Sequence, residues 1–177
     1  MRQITRYFIL VFIMALFSDL GFSQEPTTYQ TPPKAIADLI DAAPTPGVSI
    51  SPDKKMMLLL SQPGLPSIEE VGDEERRIGG IRINPRTNGP SRASYYNRLT
   101  MRTLESEKEI PITGLPQNPR MSSVTWNTDG TRIVFLNTVA NGIELWTIDV
   151  AAAKARRLTE AVVNAAAGGA FELFSDG

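Results

Sequence analysis

Residues 122–159, which read SSVTWNTDGTRIVFLNTVANGIELWTIDVAAAKARRLT, contain a nearly complete β-sheet repeat unit. Apolar and polar side chains alternate before the turn signal NTDG, a β-branched and aromatic run follows it, and alternation resumes after the turn signal ANG. These patterns are typical of short antiparallel strands joined by tight turns. They predict four strands, at 123–126, 131–136, 143–149 and 155–159. Four such strands make one blade of a β-propeller.

The same unit recurs along the chain, as expected for a sheet that cannot bury both of its faces alone. A strand, an aspartate turn and an apolar strand occur at 48–60, and a third copy begins at 171–177. The turn aspartates Asp53, Asp129 and Asp176 are separated by 76 and 47 residues. Since one blade takes about 40–50 residues, the first interval predicts a blade that carries an insertion.

The fold prediction is therefore all-β: an incomplete β-propeller of about two blades plus the start of a third, with a short N-terminal helix and a helical insertion. A closed propeller needs at least about four blades, so we expect these residues to be the N-terminal fragment of a longer protein. The predicted segments are a signal peptide (1–23), a leader and short helix (24–46), and a partial propeller (47–177) composed of a blade at 47–115 with its insertion at 61–94, a blade at 119–160 and the start of the next blade at 170–177.

The N-terminus has the three zones of a secretory signal peptide. Two arginines precede an almost purely apolar run at 7–17, and Gly21 and Ser23 place small residues at positions −3 and −1 of a cut before Gln24. An uncleaved N-terminal anchor is the alternative interpretation. Either way the pattern predicts export to a periplasmic or extracellular compartment, and cleavage would leave no stable membrane span.

A short helix is predicted after Pro32 and Pro33, where Ile36, Leu39 and Ile40 recur at helical spacing on one narrow face. The two prolines in the segment that follows cannot continue a helix.

A second helix is predicted inside the insertion. Ser67 and Glu70 have the spacing of a capping box, in which each side chain bonds the backbone N–H of the other residue. The charge run 73–77 then forms a solvated helix face, where Asp73 meets two arginines at i+3 and i+4. The helix is predicted to end at Gly79-Gly80.

The composition restricts what chemistry this chain can perform. It has no histidine and no cysteine, so it cannot supply a Ser-His-Asp or Cys-His system, a disulfide or an imidazole metal ligand. Its 18 basic and 19 acidic residues give a net charge of −1, without the positive excess of a nucleic-acid surface. We expect no catalytic residue, no cofactor, no metal site and no nucleic-acid partner in this chain.

One group of residues has a pattern that favours ligand binding. Arg82, Arg86 and Arg92 lie on the inserted segment, and inserted loops on rigid scaffolds are common recognition sites. Guanidinium groups bind carboxylates through paired hydrogen bonds, which suits an acidic peptide substrate. The alternative is that these arginines pair internally with acidic side chains of the insertion: Glu69, Glu70 or Asp73.

Five short stretches together resemble the N-terminal propeller of the glutamyl endopeptidase branch of the prolyl oligopeptidase family. They are YQTPP at 29–33, IADLIDAAP at 36–44, the SPD turn at 51–53, GIRIN at 80–84 and NGPSR at 88–92. The resemblance extends over nearly all of residues 29–177.

This resemblance implies an exported serine peptidase that cleaves peptides after glutamate and in which the propeller restricts or positions the substrates. It also implies a C-terminal α/β-hydrolase domain, missing from this chain, that carries the whole catalytic triad, so no catalytic residue transfers to these positions. The family's preference for glutamate fits the insertion arginines. The alternative function is a non-catalytic periplasmic TolB-like propeller that binds a protein or ligand.

Overall fold

The structure, a computed structural model, describes residues 30–106 and 108–174. The chain divides after Ala37 into two units, and the strands of the described residues lie in the second unit, Asp38–Gly177. The elements of the described residues are α1 (Lys34–Ile40), β1 (Gly47–Ile50), β2 (Met56–Ser61), α2 (Ile68–Gly72), β3 (Arg76–Ile78), β4 (Ile81–Asn84), β5 (Gly89–Pro90), β6 (Arg98–Thr103), β7 (Glu109–Ile110), β8 (Met121–Trp126), β9 (Arg132–Val139), β10 (Gly142–Asp149) and β11 (Lys154–Arg157).

The N-terminal predictions are tested in part. The signal peptide predicted at 1–23 lies outside the described residues, so export stays a prediction. The helix predicted after the proline pair is confirmed as α1. Its first turn is closed by the carbonyl oxygen of Pro33, which accepts hydrogen bonds from the backbone N–H of Ile36 at 2.8 Å and of Ala37 at 3.1 Å.

Strands β8, β9, β10 and β11 form an antiparallel sheet in chain order, here called the second sheet. The turn between β8 and β9 is closed by Asn127, whose backbone carbonyl accepts from the N–H of Gly130 at 3.1 Å. The Asn127 side chain also accepts from the N–H of Arg132 at 2.9 Å. Gly130 has a φ of 70°, a conformation that glycine adopts without steric strain. All four strands predicted in residues 122–159 are present.

Strands β1, β2, β6 and β7 form the first sheet, which is also antiparallel and four-stranded. Between β2 and β6 the chain leaves this sheet and forms a separate part, residues 62–97, here called the insertion. Its base is closed where the backbone N–H of Asn97 donates to the carbonyl of Ser61 at 2.9 Å. The all-β prediction is confirmed by these sheets, and the described residues form no closed ring of sheets.

The prediction of a helical insertion needs correction. The capping box of Ser67 and Glu70 is present and begins α2, but α2 ends at Gly72. Strands β3, β4 and β5 follow as a three-stranded antiparallel sheet. Gly79 and Gly80, predicted to end a helix, instead form the turn between β3 and β4, with φ values of 56° and 89°. Type I′, one of the two turn types that suit a two-residue hairpin, has positive φ at both positions, which is why two glycines favour a hairpin here.

The charge run at 73–77 therefore lies on extended chain rather than on a helix. Residues three and four apart are no longer neighbours on one face, since side chains of a strand alternate between its two sides. Each of the two arginines pairs instead with the glutamate two residues before it, at 3.2 Å for Arg76 with Glu74 and 3.5 Å for Arg77 with Glu75.

The main core lies between the first and the second sheet. Alternate side chains of β2 and β6 point to the core from one side, and alternate side chains of β9 and β10 from the other. Trp126 of the second sheet also donates its indole N–H to the hydroxyl of Ser49 in β1, at 3.0 Å. The fully or almost fully buried apolar side chains of this core are Leu58, Leu60, Leu99, Met101, Met121, Ile133, Phe135, Ile148 and Ala155.

The outer faces of the two sheets differ. On the second sheet, Leu136 and Ile143 are buried under the segment that contains Ala165 and Phe171. On the first sheet, Val48 is 57% exposed and Ile50 is 53% exposed. One outer face is therefore covered by the chain itself, whereas the outer face of the first sheet leaves apolar side chains in water.

The third repeat predicted at 171–177 stays a prediction. Residues 171–174 adopt no regular secondary structure, and Asp176 lies outside the described residues.

Replacing Gly142 by alanine is expected to lower the free energy of unfolding by about 1–3 kcal/mol, because the new Cβ would overlap the carbonyl oxygen of Ala161. Gly72→Ala is the matched control, since a Cβ there meets nothing within 4 Å and Gly72 does not have a positive φ. Urea unfolding of the two variants measures the difference. Equal urea midpoints for the two variants would show that the segment containing Ala161 moves away from the new Cβ at little cost in free energy.

Candidate functional site

An open cleft of about 1120 Å³ lies between the insertion and the second sheet. Its apolar wall comes from β9, β10 and the segment beyond them, and includes Leu136, Val139, Ile143 and Ala165. Its polar wall comes from the insertion and from the residues just before β8. Clefts that combine an apolar wall with a few polar groups are typical ligand sites. The charged and amide side chains that line it include Glu69, Glu70, Asp73, Asn84, Arg86, Arg92 and Arg120.

Arg86 is the predicted residue with the clearest position in this cleft. Its guanidinium pairs with Asp73, and its backbone N–H donates to the side-chain oxygen of Asn84 at 3.0 Å. Asn84 is buried and donates its amide to Asp73 at 3.2 Å, which holds the carboxylate in place. The Arg86 side chain nevertheless remains 54% exposed. It is a fixed cation with one side open to the cleft.

Arg82 and Arg92 are held by Glu75. The Glu75 carboxylate accepts from Arg82 at 3.0 Å and from the Ser91 hydroxyl at 3.0 Å, and it lies 3.8 Å from Arg92. Burial acts to raise the pKa of Glu75, but the Ser91 hydrogen bond and the arginine charges outweigh it and lower the pKa below its ordinary value. Arg92 lines the cleft, whereas Arg82 is not among the lining residues. The structure thus does not bring all three predicted arginines together on one surface.

The alternative to ligand binding is that the three arginines pair with acidic side chains of the insertion. Such pairs are present, but some of the acidic partners are not the predicted ones. Asp73 is the predicted partner that does bind an arginine of the group, namely Arg86. Glu75 is not among the predicted partners, although the β3–β4 hairpin brings it close to Arg82. Its position follows from the hairpin, so a helical prediction for this segment could not place it.

A second cluster in the cleft consists of Glu70, Tyr95 and Arg120, and no local sequence pattern predicts it. The Arg120 guanidinium lies 2.9 Å from the Glu70 carboxylate and 4.8 Å above the centre of the Tyr95 ring, and the Tyr95 side chain hydrogen-bonds Glu70. Burial raises the pKa of the Tyr95 hydroxyl, and the Glu70 carboxylate raises it further. Burial also acts to raise the pKa of Glu70, but the Ser67 N–H, Tyr95 and Arg120 together lower it.

A third charged group, Glu144, lies in the second sheet and supports the fold rather than a site. Its carboxylate accepts from the Trp146 indole N–H at 2.8 Å, the Asn137 amide at 3.1 Å and the Arg157 guanidinium at 3.0 Å. Burial acts to raise the pKa of Glu144, and these three donors lower it below its ordinary value.

The arrangement is suited to binding. Among the described residues no group of three or more acidic side chains is placed to hold a metal ion. Within the same part of the chain, no helix is both long and apolar enough to cross a membrane. The cleft has half-exposed guanidinium groups beside an apolar wall. Together these two features can orient a ligand that carries both a carboxylate and an apolar part.

Comparison with known proteins gives relatives among plant peptidases. No family model matches the chain. The chain is 32% identical over 140 residues to a probable chloroplastic glutamyl endopeptidase of Oryza sativa subsp. japonica, and 35% identical over 143 residues to one of Arabidopsis thaliana. The matches cover 73% and 75% of this chain but 15% of each relative. This chain spans about 15% of the length of the curated relatives that it matches. The similarity indicates that it comes from a peptidase-related family.

Proposed function

We propose that this chain is the N-terminal propeller portion of an exported serine peptidase of the prolyl oligopeptidase family, in the branch that cleaves after glutamate. The observation that carries the proposal is the similarity of about three quarters of the chain to two proteins named glutamyl endopeptidase. In this proposal the chain positions peptide substrates, and a C-terminal α/β-hydrolase domain breaks the bond. Export rests on the signal-peptide pattern of residues 1–23.

Two structural features support a propeller as the complete fold. Both large sheets are four-stranded antiparallel meanders, and sheets that are successive in the chain pack face to face, as blades do. The outer face of the first sheet carries the exposed side chains Val48 and Ile50, with Leu59 and Met57 opposite them in β2. An apolar sheet face is stabilised when another layer of secondary structure covers it and removes it from water, and a further blade would supply that layer.

Substrate binding is proposed for Arg82, Arg86 and Arg92 in distinct ways. Arg86 and Arg92 line the cleft and are 54% and 52% exposed, so each can turn its free N–H groups towards a substrate carboxylate. Arg82 acts through Glu75, which it shares with Arg92. A peptide with an acidic side chain would place its carboxylate at these guanidinium groups and its apolar portions against the half-buried Val139.

The expected result in the full-length peptidase is that Arg86→Ala and Arg92→Ala each lower kcat/KM for glutamyl peptides by roughly tenfold, while kcat/KM for an equivalent neutral peptide changes little. The measurement is steady-state hydrolysis of a matched glutamate and glutamine peptide pair. Arg76→Ala is the control, because Arg76 is exposed, pairs with Glu74 and does not line the cleft. Unchanged selectivity in both Arg86→Ala and Arg92→Ala would remove these two arginines from substrate recognition.

Reading the coding sequence beyond the codon for Gly177 tests the peptidase proposal itself. Further four-stranded repeats followed by a Gly-x-Ser-x-Gly elbow, an aspartate and a histidine would support it. A propeller that closes without a hydrolase domain would favour the TolB-like binding function instead.

A further inference from the structure

The insertion is attached to both large sheets at its base, and beyond the base it touches the second sheet at two further places. At the base, both ends of the insertion are joined by the hydrogen bond from Asn97 to Ser61. The return stem is also held to β8, since Tyr96 and Met121 exchange backbone hydrogen bonds at 2.8 and 2.9 Å. The cleft lies between this base, the insertion and the second sheet.

The first contact place is the Glu70–Arg120 ion pair. On the insertion side, one Glu70 oxygen caps α2 by accepting from the Ser67 N–H at 2.8 Å, and the other faces Arg120 at 2.9 Å. On the sheet side, the Arg120 backbone is fixed, because its N–H donates to the Asn137 side chain at 3.1 Å and its carbonyl accepts from Thr138 at 3.0 Å. A single carboxylate thus joins the start of α2 to the start of β8.

The second contact place is the turn between β4 and β5. The carbonyl of Asn88 accepts from the backbone N–H of Ala165 at 2.9 Å. Gly89 lies directly against the side chain of Ile143, so closely that a Cβ at this position would come within 2.7 Å of the Ile143 Cδ1 atom. This contact uses backbone and apolar atoms.

The two places differ in what holds them. The turn contact is made by closely packed backbone and apolar atoms, whereas the contact at α2 is made by the Glu70–Arg120 ion pair, whose side chains are 15% and 38% exposed, with the Tyr95 ring beside Arg120. Ion pairs that reach solvent contribute modestly to stability, so they open more easily than packed apolar contacts. We propose that the insertion is a hinged strap over the cleft, latched at its α2 end by the Glu70–Arg120 ion pair, so that breaking this pair opens the cleft while both large sheets stay folded.

Glu70→Gln is the variant that tests the latch with the least other damage. Glutamine at this position still accepts from the Ser67 N–H and keeps the capping box, but it has no charge to pair with Arg120. The expected result is roughly three- to tenfold faster hydrogen exchange at backbone amides of α2, β3 and β4 in the full chain, with exchange in β9 and β10 unchanged. Hydrogen exchange read by mass spectrometry or NMR measures this directly.

The matched control is Glu74→Gln, which removes a glutamate charge from the same insertion but breaks a pair with Arg76 that does not reach the second sheet. We expect this variant to exchange like the unchanged chain.

A double variant makes the test independent of either single substitution. If the two side chains act as one latch, Glu70→Gln combined with Arg120→Gln exchanges no faster than Arg120→Gln alone. Wild-type exchange in Glu70→Gln, fully additive effects in the double variant, or an equal rise in β9 and β10 would each overturn the proposal. Since the readout is backbone exchange, none of these outcomes depends on the proposed peptidase activity.

Discussion

Replacing Phe135 by alanine is expected to lower the free energy of unfolding by about 3–5 kcal/mol, the range for removing a fully buried aromatic side chain. Phe135 lies in the middle of β9 with none of its surface exposed. Its ring is near-parallel to that of Trp146, with the ring centres 6.2 Å apart. Its side chain belongs to the core between the two large sheets, so the substitution leaves a cavity where neither sheet can relax independently.

Phe174→Ala provides a control of the same residue type, because Phe174 is 77% exposed. Urea unfolding followed by far-ultraviolet circular dichroism compares the two variants with the unchanged chain. A Phe135→Ala midpoint equal to that of Phe174→Ala would mean that the two sheets do not share one core in solution.

Replacing Glu144 by alanine is expected to lower the free energy of unfolding by about 2–4 kcal/mol, since it leaves buried donors without an acceptor. Glu144 is 7% exposed, and its carboxylate receives the donors of Trp146, Asn137 and Arg157. The Arg157 guanidinium reaches solvent and can be hydrated after the substitution, whereas the Asn137 amide lies in a buried side chain. Urea unfolding at neutral pH measures the loss.

The effect of Glu144→Ala should depend on pH in a defined direction. The pKa of Glu144 in the folded chain is below the ordinary glutamate value of 4.5. A carboxyl whose pKa is lowered by folding stabilises the fold above its unfolded pKa, and this contribution is lost as the pH falls through the folded pKa. The difference between the unchanged chain and Glu144→Ala is therefore expected to be largest near neutral pH and to shrink in acid.

Glu160→Gln is the control for this pH series, because Glu160 also pairs with Arg157 but is mostly exposed. Its difference from the unchanged chain is expected to be small throughout. A Glu144→Ala difference that stays constant from neutral to acid pH would show that the three donors, and not the charge, supply the stabilisation.

The strands, turns and caps of this protein were predictable to the extent that their determinants are local. In residues 122–159, side-chain alternation placed four strands and the NTDG turn, and all of them occur. Ser67 and Glu70 were identified as a capping box, which is present. The insertion was harder, because Gly79-Gly80 is compatible both with the end of a helix and with a hairpin, and pairing with β4 decides between them.

The candidate site was predictable in its arginines but not in their environment. Arg86 and Arg92 line the cleft as an insertion-borne pair of cations, and their use in substrate binding stays a proposal. Glu75 was missed because its pairing with Arg82 needs the β3–β4 hairpin. Arg120 was missed because it is distant in sequence from both Glu70 and Tyr95.

The amino-acid order alone was enough to establish an all-β chain with repeated units, since alternation and turn chemistry act over a few neighbouring residues. The absence of histidine and cysteine likewise followed from composition without any coordinates. Which carboxylate holds which guanidinium, and which sheet face is buried, depended on contacts between segments far apart in the chain. Such contacts exist only in the folded chain, and no local pattern encodes the distance from Glu70 to Arg120.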